Sequence, residues 1–240
     1  MAARSALDTL SADDVRARLA GSPAERAGFL ADAARAGHAE AQAILGQMLL
    51  AGTDVPRDPV AGFSWFNRAA AQGHLMALNM VGRCYDLGWG VPVDKSRAAE
   101  CYRIAAERGL DWAMYNFATL LTLGEGVDED RAAALAWFEK AAALGNPKAV
   151  NFCGSFAEDG WACRQDRDKA AALYEQAARG GDFRGCFNHA RMLIDRGDTA
   201  GAGQWIARSL HLGNDRFRGQ VRDWLARHAP SLDIQDVAPC

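Results

Sequence analysis

Small and apolar residues return along the chain at fixed positions of a repeating pattern. In the segment Leu75–Leu87, Ala77, Val81 and Gly82 fall on one face of a helix, and the residues between them are mostly more varied. A glycine-rich loop follows, and a second run ends in the motif Ala-Ala-x-x-Gly. Small and apolar residues that share one helical face, followed by a glycine, predict an α-helix and its end. The segment therefore predicts a helix, a loop and a second helix.

This pattern repeats in strict register. The motif Ala-Ala-x-x-Gly starts every 36 residues, at Ala33, Ala69, Ala105, Ala141 and Ala177. Three further columns share the period: a loop glycine (Gly52, Gly88, Gly124, Gly160), an aspartate six residues later (Asp58, Asp94, Asp130, Asp166) and a large ring (Phe66, Tyr102, Phe138, Tyr174). Self-similarity at such a period is typical of stacked helical units that complete one another's core.

Each column has a local structural role. The loop glycine tolerates the left-handed backbone that ends a helix. The aspartate is placed to cap the second helix at its N-terminus. The paired alanines allow neighbouring helices to approach closely, and the last glycine of the motif stops the second helix.

The period predicts one solenoid domain over residues 1–240. Residues 1–37 form an N-terminal cap and a half repeat, in which Leu7, Leu10, Val15 and Leu19 have helical spacing and Ser11 with Asp14 resembles a capping box. Ser22-Pro23 predicts the start of the next helix. Repeats one to five are 38–73, 74–109, 110–145, 146–181 and a shortened 182–213, followed by a capping helix at 214–228 and a loose tail at 229–240.

The columns resemble those of the Sel-1-like repeat, a relative of the tetratricopeptide repeat. Repeat two carries the pattern in Ala77, Val81-Gly82, Gly88, Gly90-Val91, Asp94, Ala98, Tyr102, Ala105-Ala106 and Gly109. Repeat three carries it in Ala113, Gly124, Gly126-Val127, Asp130, Ala134, Trp137-Phe138, Ala141-Ala142 and Gly145. Local departures are Thr53-Asp54, Trp161-Ala162, Ala118 and the short loop of repeat five. The resemblance implies an all-α, right-handed α/α superhelical solenoid that acts as a scaffold or adaptor, often in bacterial signalling or stress responses.

Composition narrows the partners and the compartment. A net charge of -3 gives no uniform positive field for nucleic acid or an anionic membrane. The sequence shown has no apolar run of signal-peptide or membrane-spanning length, so we expect a cytoplasmic protein. The six cysteines form no Cys-x-x-Cys pair and fall in different columns, which favours buried thiols. A bridge between Cys84 and Cys101 is the least improbable exception.

Columns that vary between repeats are free for binding. In the first helix of each repeat these are the columns of residues 76, 79, 83 and 86, which share one side of the helix; we call them the variable stripe. By resemblance to tetratricopeptide repeats, the stripe lines the concave groove. The predicted partner-binding residues are Met76, Asn79, Arg83, Asp86, Trp112, Tyr115, Thr119, Lys148, Asn151, Ser155, Arg184, Phe187 and Arg191. Thr122 and Glu158 also belong to the stripe.

Arginine and asparagine on the stripe can hold the backbone or a carboxylate of an extended peptide, and aromatic rings can anchor it. The competing interpretation is a solvated polar face. Trp89 and Trp161 occupy the same loop position two repeats apart, and they form either a loop-edge binding surface or lids on their own helix pairs.

The sequence contains no pattern that predicts catalysis. The five histidines are scattered, and His38 and His74 follow repeat-ending glycines as structural residues do. No phosphate-binding loop, zinc-binding helix motif or nucleophile elbow occurs. We therefore expect no catalytic residue, metal or cofactor, and a protein or peptide partner. The alternative is a small-molecule binder or weak hydrolase with a pocket in the groove.

Overall fold

The computed structural model describes residues 11–230 and residue 232, and these contain α-helices and no strand. In chain order the helices are α1 (Ala12–Leu19), α2 (Pro23–Arg35), α3 (Ala39–Ala51), α4 (Pro59–Ala71), α5 (Leu75–Leu87), α6 (Lys95–Glu107), α7 (Asp111–Leu123), α8 (Arg131–Ala143), α9 (Pro147–Asp159), α10 (Arg167–Arg179), α11 (Phe183–Asp195), α12 (Thr199–Leu212) and α13 (Asp215–His228). The all-α helix-pair fold is confirmed. Leu7, Leu10 and most of the predicted tail lie outside the described residues.

The helices belong to two compact units. Unit 1 comprises Met1–Ala113 and Gly124–Asp128, and unit 2 comprises Met114–Leu123 and Glu129–Cys240. In unit 1 each helix from α1 to α5 packs on the next helix in the chain. In unit 2 the same holds from α8 to α13, and α9 also contacts α11. Neighbouring helices in sequence are thus neighbours in space within each unit.

The aspartates that recur once in each repeat cap the second helices as predicted. Asp94 accepts a hydrogen bond from the backbone N–H of Arg97 at 3.0 Å, and Asp130 accepts one from Ala133 at 2.9 Å. Asp58 and Asp166 make the same contact in their repeats. Upstream, Ser11 and Ser22 each form a complete capping box. Local side chains therefore fix where these helices begin.

A close approach between helices forms the interior of each repeat. The rings of Tyr102 and Tyr174 are almost fully buried, and each lies against a glycine of the first helix. A Cβ added at Gly82 or Gly154 would lie 2.7 Å from the facing ring. Only a residue without a side chain fits between the two helices there.

The loop glycines bring successive repeats together within unit 1. A Cβ at Gly90 would lie 2.1 Å from the carbonyl oxygen of Pro59, so the loop of repeat two rests directly on the start of α4. The same column holds Asp54 and Ala162 in repeats one and four, and both keep a positive φ, of 63° and 55°. The backbone shape is thus retained where the glycine is lost.

The C-terminal helix closes unit 2. Phe217, Val221 and Leu225 of α13 are buried against α11 and α12, as their helical spacing predicts. Ala229 is buried and Leu232 packs against the same cluster, so the first residues after α13 remain attached to the core.

Candidate functional site

In unit 1 the variable stripe presents one cation on an aromatic ring. The guanidinium of Arg83, on α5, lies 4.8 Å from the ring centroid of Trp89, and Arg83 forms no ion pair with any described residue. Met76, two turns earlier on the same helix, is 39% exposed, whereas Asn79 is buried. Trp112, at the start of α7, is 36% exposed. Of the predicted partner-binding residues of unit 1, Met76 and Trp112 are thus exposed and Arg83 is partly exposed.

Asp86 is held within the repeat. Its carboxylate lies 2.5 Å from the ammonium of Lys95 and accepts a hydrogen bond from the hydroxyl of Tyr102 at 3.3 Å. Lys95 also pairs with Glu125 at 2.7 Å. Although burial opposes it, these two carboxylates raise the pKa of Lys95 above its ordinary value. Asp86 is thus a partner of buried Tyr102, and its charge is already neutralised.

In unit 2 an aromatic cluster lies under the stripe. The ring of Tyr115 contacts those of Phe138 and Phe152, with centroids 6.0 and 5.7 Å away, and Phe138 stacks on Phe152 at 4.8 Å. Burial raises the pKa of the Tyr115 phenol, although the positive charge of Arg184 acts in the opposite direction. Packing on two sides fixes the Tyr115 ring.

One cation lies against the Tyr115 ring, and a second lies over the ring of Phe183. The ammonium of Lys148 lies 5.9 Å from the centroid of Tyr115. Arg184 is exposed, and its guanidinium stacks over the ring of Phe183 at 4.7 Å. Arg184 forms no ion pair with any residue that the structure describes. Of the predicted partner-binding residues, Tyr115 and Lys148 are thus in contact, and the charge of Arg184 acts on Tyr115.

Glu158, Arg191 and Asn151 belong to an internal polar network. The guanidinium of Arg191 donates two hydrogen bonds to the carboxylate of Glu158, of 2.8 and 3.3 Å, and Tyr174 donates a third of 2.7 Å. Burial opposes ionisation, but these donors lower the pKa of Glu158. Asn188 extends the network by donating to Asn151 at 2.9 Å. Arg191 is therefore committed to Glu158.

The remaining predicted residues of unit 2 contact the backbone of their own helix or the rings of α13. The hydroxyls of Thr119 and Ser155 donate to backbone carbonyls one turn earlier, at 2.9 and 3.4 Å. Phe187 meets the rings of Phe217 and Trp224 edge-on, at 6.0 and 5.3 Å. The capping helix α13 thus packs against Phe187 of the stripe.

Both loop tryptophans pack on nearby helices. Trp161 contacts Phe156 of the preceding helix at 5.7 Å and lies under the guanidinium of Arg131 at 4.9 Å. Trp89 packs against the core of unit 1 and under Arg83. This geometry is that of lids on helix pairs, and Trp161 remains 38% exposed.

A surface feature that the sequence reasoning missed lies on the second helices. A cation stacks on a tryptophan three residues earlier in three repeats: Arg68 on Trp65 at 4.5 Å, Lys140 on Trp137 at 4.1 Å and Arg208 on Trp205 at 5.5 Å. The signal was available, because the three tryptophans occupy one column of the repeat.

The five described cysteines are free thiols, including Cys84 and Cys101. Burial raises the pKa of Cys84 to about 11, as expected for an apolar core residue. His74 caps α5 through its Nδ1, which accepts from the N–H of Ala77 at 3.0 Å. Within the described ranges, no three His, Cys, Asp or Glu side chains are grouped to hold a metal ion.

Packed helix pairs with one repeated set of caps, ring contacts and loop glycines define a helical repeat protein. A family model of the Sel1 repeat matches residues 39–74, 75–110, 113–146 and 147–182, more than half of the chain. The chain belongs to the Sel1 repeat family. Proteins of this family are generally protein-interaction scaffolds, and the fold is typically non-catalytic.

Solved bacterial structures share the fold. The Sel1 repeat protein from Oxalobacter formigenes is 25% identical with a TM-score of 0.79, and the match covers 94% of this chain and 95% of that one. The protective antigen c5321 of uropathogenic Escherichia coli strains, which displays an SLR fold, is 22% identical over 92% of this chain and 57% of its own, with a TM-score of 0.60. Immunity protein Pa5087 from Pseudomonas aeruginosa is 20% identical over 84% and 76%, with a TM-score of 0.59.

Among curated proteins none matches this chain. In the part of the chain that the structure describes, every helix is too short or too polar to cross a membrane.

Proposed function

We propose that this protein is a non-catalytic scaffold or adaptor that binds a peptide or protein partner through the variable stripe. The observation that carries the proposal is the division of the stripe into two kinds of residue. Asp86 and Glu158 accept hydrogen bonds from the buried tyrosines, Arg191 donates to Glu158, and Asn151 accepts from Asn188. These residues stabilise the helix pairs.

The residues of the second kind are partly exposed or exposed. Arg83 and Arg184 lie over aromatic rings, and Met76 and Trp112 are more than one third exposed. Arginine, tryptophan and methionine are enriched in protein interfaces, because each side chain offers a large contact area to the partner. The same column positions in other repeats of one chain hold different side chains, which suits recognition of a particular partner.

One cavity, of about 400 Å³, lies away from the stripe. Its lining residues are Gly181, Gln204, Trp205, Ala207, Arg208, His211 and Leu212. On the stripe we propose a protein or peptide partner.

Site-specific photo-crosslinking tests this function. A photoreactive amino acid is introduced at Met76 or Trp112, and as controls at Val60 and Leu144, which are exposed apolar residues outside the stripe. We expect one cellular protein to be crosslinked at the stripe positions and absent from the controls, in variants whose melting temperatures match. Equal crosslinking at all four positions, or none at Met76 and Trp112, would contradict the proposal.

A further inference from the structure

We propose that the cavity beside α12 binds a small organic anion, a carboxylate carried on an aromatic body. The cavity lies outside the variable stripe, so it adds a second site to the proposed scaffold and does not depend on what the stripe binds. Its volume of about 400 Å³ lies within the range of ligand pockets in proteins.

The first observation is the charge of the helix that forms the cavity. Apart from Gly181, every lining residue belongs to α12. This helix contains no Asp or Glu, and its two ionisable side chains, Arg208 and His211, are both part of the lining. A lining that has a permanent cation and no carboxylate favours an anionic ligand.

The second observation is that Arg208 forms no ion pair with any residue that the structure describes. Its side chain is exposed, and its guanidinium lies over the Trp205 ring, 5.5 Å from the centroid. In the preceding repeat, by contrast, Arg179 is paired with Glu175 at 2.6 Å, which already compensates its charge. The guanidinium of Arg208 is therefore able to donate a bidentate pair of hydrogen bonds to a ligand carboxylate.

The carboxylates that flank the cavity along the chain are used as helix caps. Asp182, next to Gly181, is 4% exposed and accepts the backbone N–H of Gly185 at 2.8 Å. Asp198 accepts the backbone N–H of Gly201 at 2.8 Å. Neither aspartate lines the cavity, so a ligand there meets cationic and neutral side chains.

The third observation concerns the apolar wall of the cavity. Trp205, Ala207 and Leu212 form it, and Leu212 is 45% exposed. The Trp205 ring meets the imidazole of His189 edge-on, with centroids 5.2 Å apart, and packs on the core cluster of α11, α12 and α13. A ring fixed in this way loses little conformational entropy when a ligand stacks against it. A flat apolar body attached to the carboxylate suits this wall.

Ligand-observed NMR on the full chain tests the inference. The probes are benzoate, phenylacetate and 2-naphthoate, each compared with its uncharged carboxamide, and a short peptide that ends in tryptophan. The variant Arg208→Gln removes the cation. Arg68→Gln is its matched control, because Arg68 occupies the same column in repeat one and stacks on Trp65 at 4.5 Å.

A second pair of variants tests the lining without changing Arg208. Leu212→Glu places a carboxylate in the cavity, where it should repel an anion. Leu144→Glu introduces the same charge in the same column of repeat three, at a leucine that is also exposed.

We expect the wild type, Arg68→Gln and Leu144→Glu to bind at least one of the free carboxylates and to bind its carboxamide about tenfold more weakly. Arg208→Gln and Leu212→Glu should each bind the carboxylate about tenfold more weakly than wild type or worse. Arg208→Gln should also lose the preference for the carboxylate over the carboxamide. Circular dichroism and melting of each variant show that the fold is retained.

Three results would overturn the inference. These are equal binding of each carboxylate and its carboxamide by the wild type, unchanged carboxylate binding by Arg208→Gln, and no binding of any free carboxylate at millimolar concentration. If the peptide binds and the free carboxylates do not, the ligand is the C-terminus of a protein and not a small molecule. Because the cavity and the stripe share no residue, each of these results leaves the proposed function standing.

Discussion

Tyr174 donates its hydroxyl to Glu158 at 2.7 Å, and Tyr102 makes the same contact with Asp86 at 3.3 Å. The two pairs lie 72 residues apart, which is two repeats. In repeats one and three the ring is a phenylalanine and the residue in the carboxylate column is apolar or neutral: Phe66 with Leu50, and Phe138 with Thr122. The buried hydroxyl therefore occurs only where an acceptor occurs with it.

Removing one such hydroxyl should weaken the fold. Tyr174→Phe deletes the donor to Glu158, and a hydrogen bond to a charged group contributes about 2 kcal/mol. We expect the free energy of unfolding to fall by that order in urea titrations. Because Glu158→Gln removes the charged acceptor of the same hydrogen bond, the double variant should lose less stability than the sum of the two single variants. Strict additivity would show that the two groups do not interact.

The glycine that faces each ring gives a second test. Gly154→Ala places a methyl group 2.7 Å from Tyr174, and overpacking of this kind costs about 1–3 kcal/mol. Gly28→Ala, within α2, meets no atom within 4 Å and should instead stabilise by about 1 kcal/mol through helix propensity. Thermal melts of the two variants should shift in opposite directions. Shifts of the same sign would contradict the close approach of α9 and α10.

Ala162 offers a stabilising substitution. Its φ of 55° is a left-handed conformation that costs a residue with a Cβ about 1 kcal/mol. We expect Ala162→Gly to raise the free energy of unfolding by that order. Ala172→Gly, an exposed position in the middle of α10, should lower it by about 1 kcal/mol. If both changes destabilise equally, the loop of repeat four does not hold this conformation in solution.

Asp182 should make stability depend on pH. Burial raises the pKa of this carboxyl above its ordinary value, although Gly185, Arg184 and Lys148 act against it. The unfolded chain therefore ionises more readily than the folded one, and the group destabilises the fold as pH rises from about 4 towards neutrality. Asp182→Asn, which copies the asparagine cap Asn146 of repeat four, should be more stable than wild type at neutral pH.

The difference between Asp182→Asn and wild type should vanish below about pH 4, where the carboxyl is protonated in both states. Urea titrations at several pH values measure it. A difference that grows towards acid would show that the ionised carboxylate stabilises the fold.

The local structure could be predicted from the sequence because short-range contacts determine it. The caps Asp94 and Asp130 bond to backbone groups three residues away, and Gly88 ends α5 by its own backbone conformation. Their spacing alone located the helices. The family resemblance rested on the same columns.

Which of the site residues are engaged in contacts within the protein could not be predicted in this way. Arg191 reaches Glu158 across 33 residues, and Phe187 is covered by a helix that begins after the last repeat. Both columns vary between repeats, which predicts side chains available for a partner. In the structure both side chains are engaged in contacts within the protein. One sequence signal could have predicted part of this arrangement. Tyrosine occurs in the ring column only in the repeats that carry Asp86 or Glu158, which indicates a hydrogen bond between the two side chains.

The contacts between successive repeats differ from one junction to the next. Lys95 of repeat two pairs with Glu125 of repeat three, Arg131 of repeat three lies over Trp161 of repeat four, and Glu158 of repeat four pairs with Arg191 of repeat five. A repeat moved to another junction would lose its partner there, so the order of the repeats along the array is itself encoded in these side chains.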